Sequence, residues 1–272
     1  MSYVVTNSVV AGRGGDIPVR DYLPDNLAAT PLLWVHGGGF TSGGLDQKES
    51  DSVARDLAAA GRWVRTVDYR LAQRLGLFSA VSLGEHPGRF PAAHNDVLDV
   101  AADLQEASGG PIAMGGASAG ANIVAGAALR MRGEGSVRPS ALVLAYGTFH
   151  AELPPRPDVE RDLRGPLARW AFNPKMTRKM NLNYVGDEKL LEPGYAFPGG
   201  VDLRGLPPTL VLNSRNDRLR QSGDTFADEL IGAGVEVERD VIDSTHAFFN
   251  APTTPGYRRG IAIVGDWLAR HG

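Results

Sequence analysis

The sequence predicts an α/β fold with a doubly wound, mostly parallel sheet, and three observations support this prediction. Short apolar runs and amphipathic helical segments alternate along most of the chain. The runs are continuous, which is typical of strands buried on both faces of a parallel sheet. Residues 3–10 and 18–23 instead alternate apolar and polar side chains across a Gly-rich turn at 12–16, which predicts an antiparallel N-terminal hairpin.

After the hairpin, predicted strands and helices follow one another in turn. Glycines end several of the helical segments, among them Gly61, the pair Gly109 and Gly110, and Gly133. Repeated strand–helix units place helices on both faces of one sheet. The predicted strands cover residues 32–35, 63–67, 112–114, 141–145, 209–212 and 235–241, and the predicted helices cover residues 50–60, 94–107, 119–131, 225–232 and 254–269.

Two segments interrupt this alternation within the single domain, residues 1–272, that the length predicts. Residues 73–88 show no clear periodicity, and residues 150–205 form a long span rich in Pro, Arg and Asn that we expect to be irregular. Insertions of this length in a compact domain usually serve as lids or binding loops. Both segments are therefore expected to cover or line a pocket.

Composition excludes several classes of protein. The 272 residues include 28 Lys and Arg against 31 Asp and Glu, a net charge of −3 without long runs of one sign, which argues against nucleic acid as a partner. The absence of cysteine excludes disulfides, thiolate metal sites and a cysteine nucleophile. Residues 1–15 do not read as a secretory signal, and no apolar run reaches the roughly 20 residues of a membrane helix. We expect a cytoplasmic protein without a membrane partner, and the oligomeric state stays open, with a homodimer as one option.

The strongest local signal for chemistry is the pentapeptide Gly116-Ala117-Ser118-Ala119-Gly120. It follows a predicted strand directly and opens a predicted helix, which is the setting of a nucleophilic serine on a sharp strand-to-helix turn. Small flanking residues let the strand and helix approach while the Ser118 hydroxyl projects from the sheet. The alternative is a serine that only caps the helix.

A serine hydroxyl needs a base and an orienting acid to act as a nucleophile. Of the six histidines, His246 lies just past the last predicted strand, at the carboxyl edge where parallel sheets place their ligands. Asp217 follows the strand at 209–212 at the same edge. The chain order Ser118, Asp217, His246 is that of α/β-hydrolases, while Asp240 and Asp243 remain alternative acids and a surface or capping role remains open for Asp217.

The segment His36-Gly37-Gly38-Gly39-Phe40 follows another predicted strand. Three glycines allow backbone N–H groups to turn outward, so this segment is expected to form one half of an oxyanion hole whose other half is the N–H of Ala119. The segment is not followed by Gly-Lys-Ser/Thr and lacks the GxGxxG spacing, which argues against a phosphate-binding loop. We expect His36 to brace the loop, and we expect no metal and no organic cofactor.

Taken together, these motifs resemble the hormone-sensitive-lipase-like carboxylesterases of the α/β-hydrolase superfamily, the bacterial group often called family IV. The resemblance implies an α/β-hydrolase fold, Ser118 as nucleophile, Asp217 as acid, His246 as base, and Gly38, Gly39 and Ala119 as oxyanion donors. The segments that carry it are HGGGF at 36–40, DYRLA at 68–72, EHP at 85–87 with FPAA at 90–93, GASAG at 116–120 with Asn122, LPPT at 206–209 and HAF at 246–248.

Three features depart from the family pattern. Ala117 stands where the family usually has an aspartate, and only 35 residues precede His36, which predicts a reduced cap. Residues 73–84 form an insertion, for which a plain surface loop is the alternative to a pocket wall. Its apolar residues are candidates to line the mouth of the pocket, and these are Leu75, Leu77, Phe78, Val81 and Leu83.

These observations predict a serine hydrolase that cleaves short-chain carboxylic esters through an acyl-enzyme, with a small ester molecule as its partner. The same triad also serves amidases, formamidases and lactonases, and the sequence does not separate these leaving groups. The alternative from a different functional class is a ligand-binding module that has the same fold and performs no catalysis.

Overall fold

The computed structural model describes residues 2–27, 29–76, 79–134 and 137–272. The strands are β1 (Tyr3–Gly12), β2 (Gly15–Pro24), β3 (Ala29–Val35), β4 (Arg62–Val67), β5 (Ala113–Ala117), β6 (Leu142–Ala145), β7 (Thr209–Asn216) and β8 (Val237–Thr245). The helices are α1 (Lys48–Ala59), α2 (Ala92–Ser108), α3 (Ala119–Glu134), α4 (Pro157–Asp162), α5 (Gly165–Trp170), α6 (Pro174–Val185), α7 (Arg220–Gly232) and α8 (Pro255–His271).

The strands of the described residues join in one sheet with the order β1-β2-β4-β3-β5-β6-β7-β8. β1 and β2 form the predicted antiparallel hairpin, β2 also pairs antiparallel with β4, and the pairs from β4 to β8 are parallel. The strand order reverses at β3, whose neighbours are β4 and β5. The crevice at the carboxyl ends of strands beside such a reversal is where open α/β sheets bind ligands.

Register fixes which loops meet in that crevice. Val35, the last residue of β3, pairs with Gly116 of β5, so the glycine loop after β3 lies beside the turn at Ser118. Ala117 pairs in turn with Ala145 at the end of β6. Three loops that are far apart in the chain therefore leave the sheet side by side.

The core lies in two layers, one on each face of the sheet. Val97 of α2 and Phe226 of α7 belong to one layer, and Val53 of α1 and Trp267 of α8 belong to the other. Helices thus cover both faces, and the predicted doubly wound α/β fold is confirmed. Among the described residues, no helix has the length and apolar character needed to cross a bilayer.

The prediction that residues 150–205 are irregular was wrong, because α4, α5 and α6 all lie within this span. α6 carries ordinary boundary signals: Asn173 Oδ1 accepts a hydrogen bond from the Met176 N–H at 3.1 Å, Pro174 is the first helical residue, and Gly186 ends the helix with φ 71°. α4 and α5 have only 6 residues each, too few to show a helical period.

Several predicted elements were also too short. β5 extends to Ala117 and β7 to Asn216, so Ser118 and Asp217 each follow a strand directly. The end of β7 is polar, and it stays in the sheet because Asn213 and Asn216 pair with β8. α7 begins at Arg220 rather than at 225, so the helix starts shortly after Asp217.

Candidate active site

Ser118 occupies the sharp turn between β5 and α3 with φ 52°, a conformation that costs energy for a residue with a side chain. The turn is possible because its flanks are glycines. A Cβ on Gly116 would come within 2.6 Å of the Gly120 carbonyl group, and a Cβ on Gly120 would collide with the Val35 carbonyl oxygen. The Ser118 N–H donates to the Ala145 oxygen at 2.8 Å and holds the turn on the sheet.

The structure brings Ser118, His246 and Asp217 together in one hydrogen-bonded chain. Ser118 Oγ lies 3.1 Å from His246 Nε2, and His246 Nδ1 lies 2.6 Å from Asp217 Oδ2. The other carboxylate oxygen of Asp217 accepts from the Leu219 N–H at 3.0 Å. Because Asp217 accepts the Nδ1 proton, Nε2 of neutral His246 is left to accept a proton from the serine.

Electrostatics favour protonation of His246. Burial lowers the pKa of this imidazole, but the charge of Asp217 and its hydrogen bond raise it, and the charge of Glu49 raises it further. The net result is a pKa above the ordinary 6.5. A raised pKa makes this imidazole a stronger base and so favours its uptake of a proton.

The two alternative acids lie elsewhere. Asp240 Oδ2 is 3.5 Å from Arg259, and Asp243 Oδ1 is 3.8 Å from both Arg164 and Arg215. Both belong to β8 itself, which runs further than predicted, and their carboxylates pair with arginines. It is Asp217, at the end of the neighbouring strand, that reaches His246.

The glycine loop lies against the serine turn. Gly38 and Gly39 have φ 118° and 61°, values that favour glycine. A Cβ on Gly37 would approach the Ser118 Cβ to 2.9 Å, so side chains are excluded by contact as well as by conformation. Gly38 and Gly39 line one cavity together with Ser118 and Ala119.

His36 is buried beneath this loop. Its ring stacks on Tyr69 with centroids 4.4 Å apart, and its Nδ1 lies 2.6 Å from the Gly37 oxygen. Burial lowers the pKa of His36 to about 4, so the ring is neutral near pH 7. The residue supports the loop, in the position that the sequence predicts.

The cavity in front of Ser118 has a volume of about 380 Å³. Its floor is formed by the serine turn, the glycine loop and His246, and its opposite wall comes from the two inserted segments. Phe172, which precedes α6, has φ 51° and places its ring 4.6 Å from the His246 ring. The side chains that the insertions contribute to the wall include Leu75, Phe172, Met176, Thr177, Lys179, Met180, Asn181 and Asn183.

The insertion at 73–84 contributes less to this wall than its composition predicts. Leu75 lines the cavity, whereas Val81 and Leu83 line a separate surface depression and Leu83 is exposed. Leu77 and Phe78 lie outside the described residues. Most of the wall belongs to α6 and Phe172, within the segment 150–205 that the sequence predicted to line a pocket, although the sequence did not predict the helix.

Sequence reasoning also missed Glu49 and Tyr146. Glu49 is buried in the first turn of α1 and borders the cavity, and the Tyr146 ring packs edge-on against His246 with centroids 5.2 Å apart. Neither residue is part of a short motif. The described residues hold no cluster of three or more His, Asp or Glu side chains suited to a metal ion.

This arrangement, a serine, histidine and aspartate at the carboxyl edge of a doubly wound sheet, is that of a serine hydrolase of the α/β type. A family model described as alpha/beta hydrolase fold matches residues 32–250. The chain therefore belongs to the α/β-hydrolase superfamily, in its hormone-sensitive-lipase-like group of carboxylesterases.

Individual relatives support the same family assignment. The chain is 35% identical to carboxylesterase NlhH of Mycobacterium tuberculosis over 82% of its own length and 68% of that protein. It is 32% identical to carboxylic ester hydrolase LipN of the same organism, over 90% of this chain and 64% of that one. Among solved structures, an esterase of Pyrobaculum calidifontis superposes with a TM-score of 0.81 at 30% identity, covering 98% of this chain and 85% of the other.

Proposed function

We propose that this protein hydrolyses small carboxylic esters through an acyl-enzyme formed on Ser118. The observation that supports the proposal is the chain of hydrogen bonds from Ser118 through His246 to Asp217, which opens onto the cavity. His246 takes the serine proton as Ser118 Oγ attacks the ester carbonyl, and it then protonates the departing alcohol. Water attacks the acyl-enzyme with His246 again as base, and the acid and free serine result.

The negative charge on the carbonyl oxygen needs donors in both steps. Gly38, Gly39 and Ala119 border the cavity beside Ser118, and their backbone N–H groups are the proposed oxyanion hole. Ala119 is also the first residue of α3, so the positive end of the helix dipole lies at the same place.

The size of the cavity supports a small substrate. Ligand pockets commonly measure about 300–1,000 Å³, and 380 Å³ is near the lower end of that range. Its wall is largely apolar, with Leu75, Met176 and Met180 among the lining residues. An uncharged acyl group of a few carbons fits these dimensions and this chemistry.

Labelling with a fluorophosphonate tests the proposal, because such probes react with an activated serine and stay attached. We expect one probe per chain at Ser118 by peptide mass spectrometry, hydrolysis of p-nitrophenyl acetate, and loss of both in Ser118→Ala. Ser222→Ala is the matched control, since Ser222 also contacts a histidine but is buried elsewhere. A folded wild-type protein that binds the ester without labelling or turnover would contradict the proposal and favour a non-catalytic binding module.

A further inference from the structure

Glu49 is a carboxylic acid buried almost completely beside the cavity, with 1% of its surface exposed. Its Oε1 accepts hydrogen bonds from the Gly37 N–H at 2.7 Å and from Gln47 Nε2 at 2.7 Å, and its Oε2 accepts from the Tyr146 hydroxyl at 3.0 Å. The backbone is anchored as well, because the Glu49 N–H donates to Asn250 Oδ1 at 3.1 Å. So many contacts fix the carboxylate in one place.

Tyr146 connects this carboxylate to the base. Its hydroxyl donates to Glu49 and is itself contacted by the Phe249 backbone N–H, while its ring packs against His246. Tyr146 has φ 38°, so the surrounding structure must hold it in an unfavourable backbone conformation. Glu49 and Tyr146 together join the loops after β3, β6 and β8.

The hydrogen bonds around Glu49 match an ionised carboxylate. Gly37, Gln47 and Tyr146 all donate, and a carboxylate accepts at both oxygens. Burial raises the pKa of Glu49 and is the largest effect, so the net shift is upward, although the bonds from Gly37 and Tyr146 and the charge of His246 lower this pKa. The other titratable groups that interact with this cluster are Tyr69 and Asp217, and burial holds the pKa of Tyr69 far above neutral pH.

We infer that Glu49 is a positioning residue for the hydrolysis, because it holds the glycine loop through Gly37 and the base through Tyr146. The inference rests on the proposed function of Ser118 and His246. Gly37 immediately precedes the proposed oxyanion donors Gly38 and Gly39, so the bond to its N–H sets where they lie. The negative charge of Glu49 also favours the imidazolium that His246 forms when the serine loses its proton.

Glu49→Gln tests this role, because glutamine keeps the shape but loses the charge and one acceptor oxygen. We expect kcat per titrated active site to fall about 10- to 100-fold with KM nearly unchanged, since small displacements of catalytic groups have effects of this size. The acid limb of kcat/KM should move to lower pH by several tenths of a pH unit, because a favourable charge near His246 is removed. The measurements are burst titration and pH profiles with p-nitrophenyl acetate.

A second carboxylate on the same helix provides the control. Asp51 Oδ1 accepts from the Tyr22 hydroxyl at 2.7 Å, the same chemistry away from the cavity. Asp51→Asn and Tyr22→Phe should keep the wild-type kcat and pH profile. Tyr146→Phe, which removes only the hydroxyl that bonds Glu49, should lower kcat about tenfold and provides the test if Glu49→Gln does not fold.

The possible results separate this inference from the proposed function. If wild-type protein turns over the ester at Ser118 but Glu49→Gln and Tyr146→Phe match the Asp51→Asn control per active site, Glu49 is merely structural and the inference is overturned. A lower unfolding temperature with unchanged kcat and pH profile has the same meaning. If the wild-type protein has no activity that depends on Ser118, the proposed function fails and the positioning role fails with it.

Discussion

Two chains of serine, histidine and carboxylate are present in the described part of this protein, and they differ in what surrounds the serine. In the first, Ser118 contacts His246, which contacts Asp217. In the second, Ser222 Oγ lies 2.8 Å from His150 Nδ1, and His150 Nε2 lies 3.1 Å from Glu229. The residue types are equivalent, so composition alone does not make a catalytic site.

The difference lies in what the serine oxygen is free to do. Ser222 belongs to α7, is fully buried, and accepts hydrogen bonds from the backbone N–H groups of Phe149 and His150 at 2.7 and 3.1 Å. Its lone pairs are occupied, and its proton is left for His150. Ser118 instead projects from a strained turn into a cavity, beside the glycine loop. A nucleophile needs free lone pairs, space for a substrate and nearby donors.

The largest expected effect comes from replacing Ser118 or His246 with alanine. Ser118→Ala and His246→Ala should each lower kcat by about 10⁶, and the double variant should lose little more, because the two residues act as a unit. Additive losses on combining them would contradict this mechanism. The assay is steady-state hydrolysis of p-nitrophenyl acetate.

Ser222→Ala should leave kcat within about twofold and act on stability instead. It removes the acceptor of two backbone N–H groups, and each buried group left without a partner costs about 1–3 kcal/mol. Urea unfolding should therefore show a lower free energy of unfolding than in Ser118→Ala. A catalytic loss in Ser222→Ala that is not explained by unfolding would break the distinction between the two chains.

The next effect concerns the acids. Asp217→Asn should lower kcat by about 10⁴, because an amide no longer selects the tautomer in which His246 Nε2 accepts a proton. Glu229→Gln, the equivalent change in the second chain, should leave kcat at the wild-type level. Crippling effects from Asp240→Asn or Asp243→Asn, with Asp217→Asn near wild type, would show that the acid is misassigned.

A smaller effect is expected in the pH dependence. Because neutral His246 is the proposed base, kcat/KM should fall as pH drops through the pKa of this group. Burial lowers this pKa, but Asp217 and Glu49 outweigh burial and raise it above 6.5. Asp217→Asn should move the midpoint of its residual activity downward. A wild-type profile that is flat from pH 8 to pH 5, or that rises toward acid, would contradict His246 as base. The measurement is kcat/KM for p-nitrophenyl acetate from about pH 5 to pH 9.

Unfolding must be monitored at each pH, because two other histidines make the folded protein less stable as pH falls, which is opposite to the effect of His246. Burial lowers the pKa of His36 to about 4, and burial with the charge of Arg130 lowers that of His94 to about 3. The unfolded chain binds protons near pH 6.5 while these folded groups stay neutral, so both contributions to stability decline as pH falls below about 6.5. The pKa of His246 is raised by its partners in the folded protein. Its contribution to stability is therefore fully present below about pH 6.5 and is lost as pH rises through the folded pKa.

The residues of the serine–histidine–aspartate chain and the glycine loop could be predicted from the sequence, whereas most of the side chains that surround them could not. The turn at Ser118 and the loop at Gly38 require particular residues at fixed spacing, because backbone contacts exclude a Cβ at Gly116, Gly120 and Gly37. Such constraints leave short motifs. Asp217 and His246 could be placed because parallel strands end at one edge, so the order of elements locates them.

Glu49, Tyr146 and the individual side chains of the cavity wall left no comparable signal, although the length of the segment 150–205 predicted that it lines a pocket. Glu49 reaches the site because α1 packs beside β3 and β4, and the Phe172 ring lies 4.6 Å from the His246 ring although the two residues are far apart in the chain. Long-range packing decides both contacts, and nothing within a few residues of either position indicates it. The helices within residues 150–205 were not predicted for a different reason, because α4 and α5 are too short to show periodicity and α6 was marked only by its ends.

The smallest expected effect concerns the wall, and it sharpens the contrast between groups that do chemistry and groups that only select the substrate. With a cavity of about 380 Å³, kcat/KM for p-nitrophenyl esters should peak at short acyl chains, from about two to six carbons, and fall for fatty acyl chains. Met180 Cε lies over Gly39 and Leu75 borders the same space, so Met180→Ala and Leu75→Ala should move the optimum toward longer chains.

The size of that change follows from the burial of methylene groups. Each CH₂ that gains a buried position adds about 0.8 kcal/mol, or roughly fourfold in kcat/KM, while hydrolysis of the acetate ester should change little. Leu167→Ala is the matched control, because Leu167 on α5 is 74% exposed. If Met180→Ala and Leu75→Ala give the same chain-length profile as Leu167→Ala, or if fatty acyl esters are already the best substrates of the wild type, these residues do not set the length of the acyl chain.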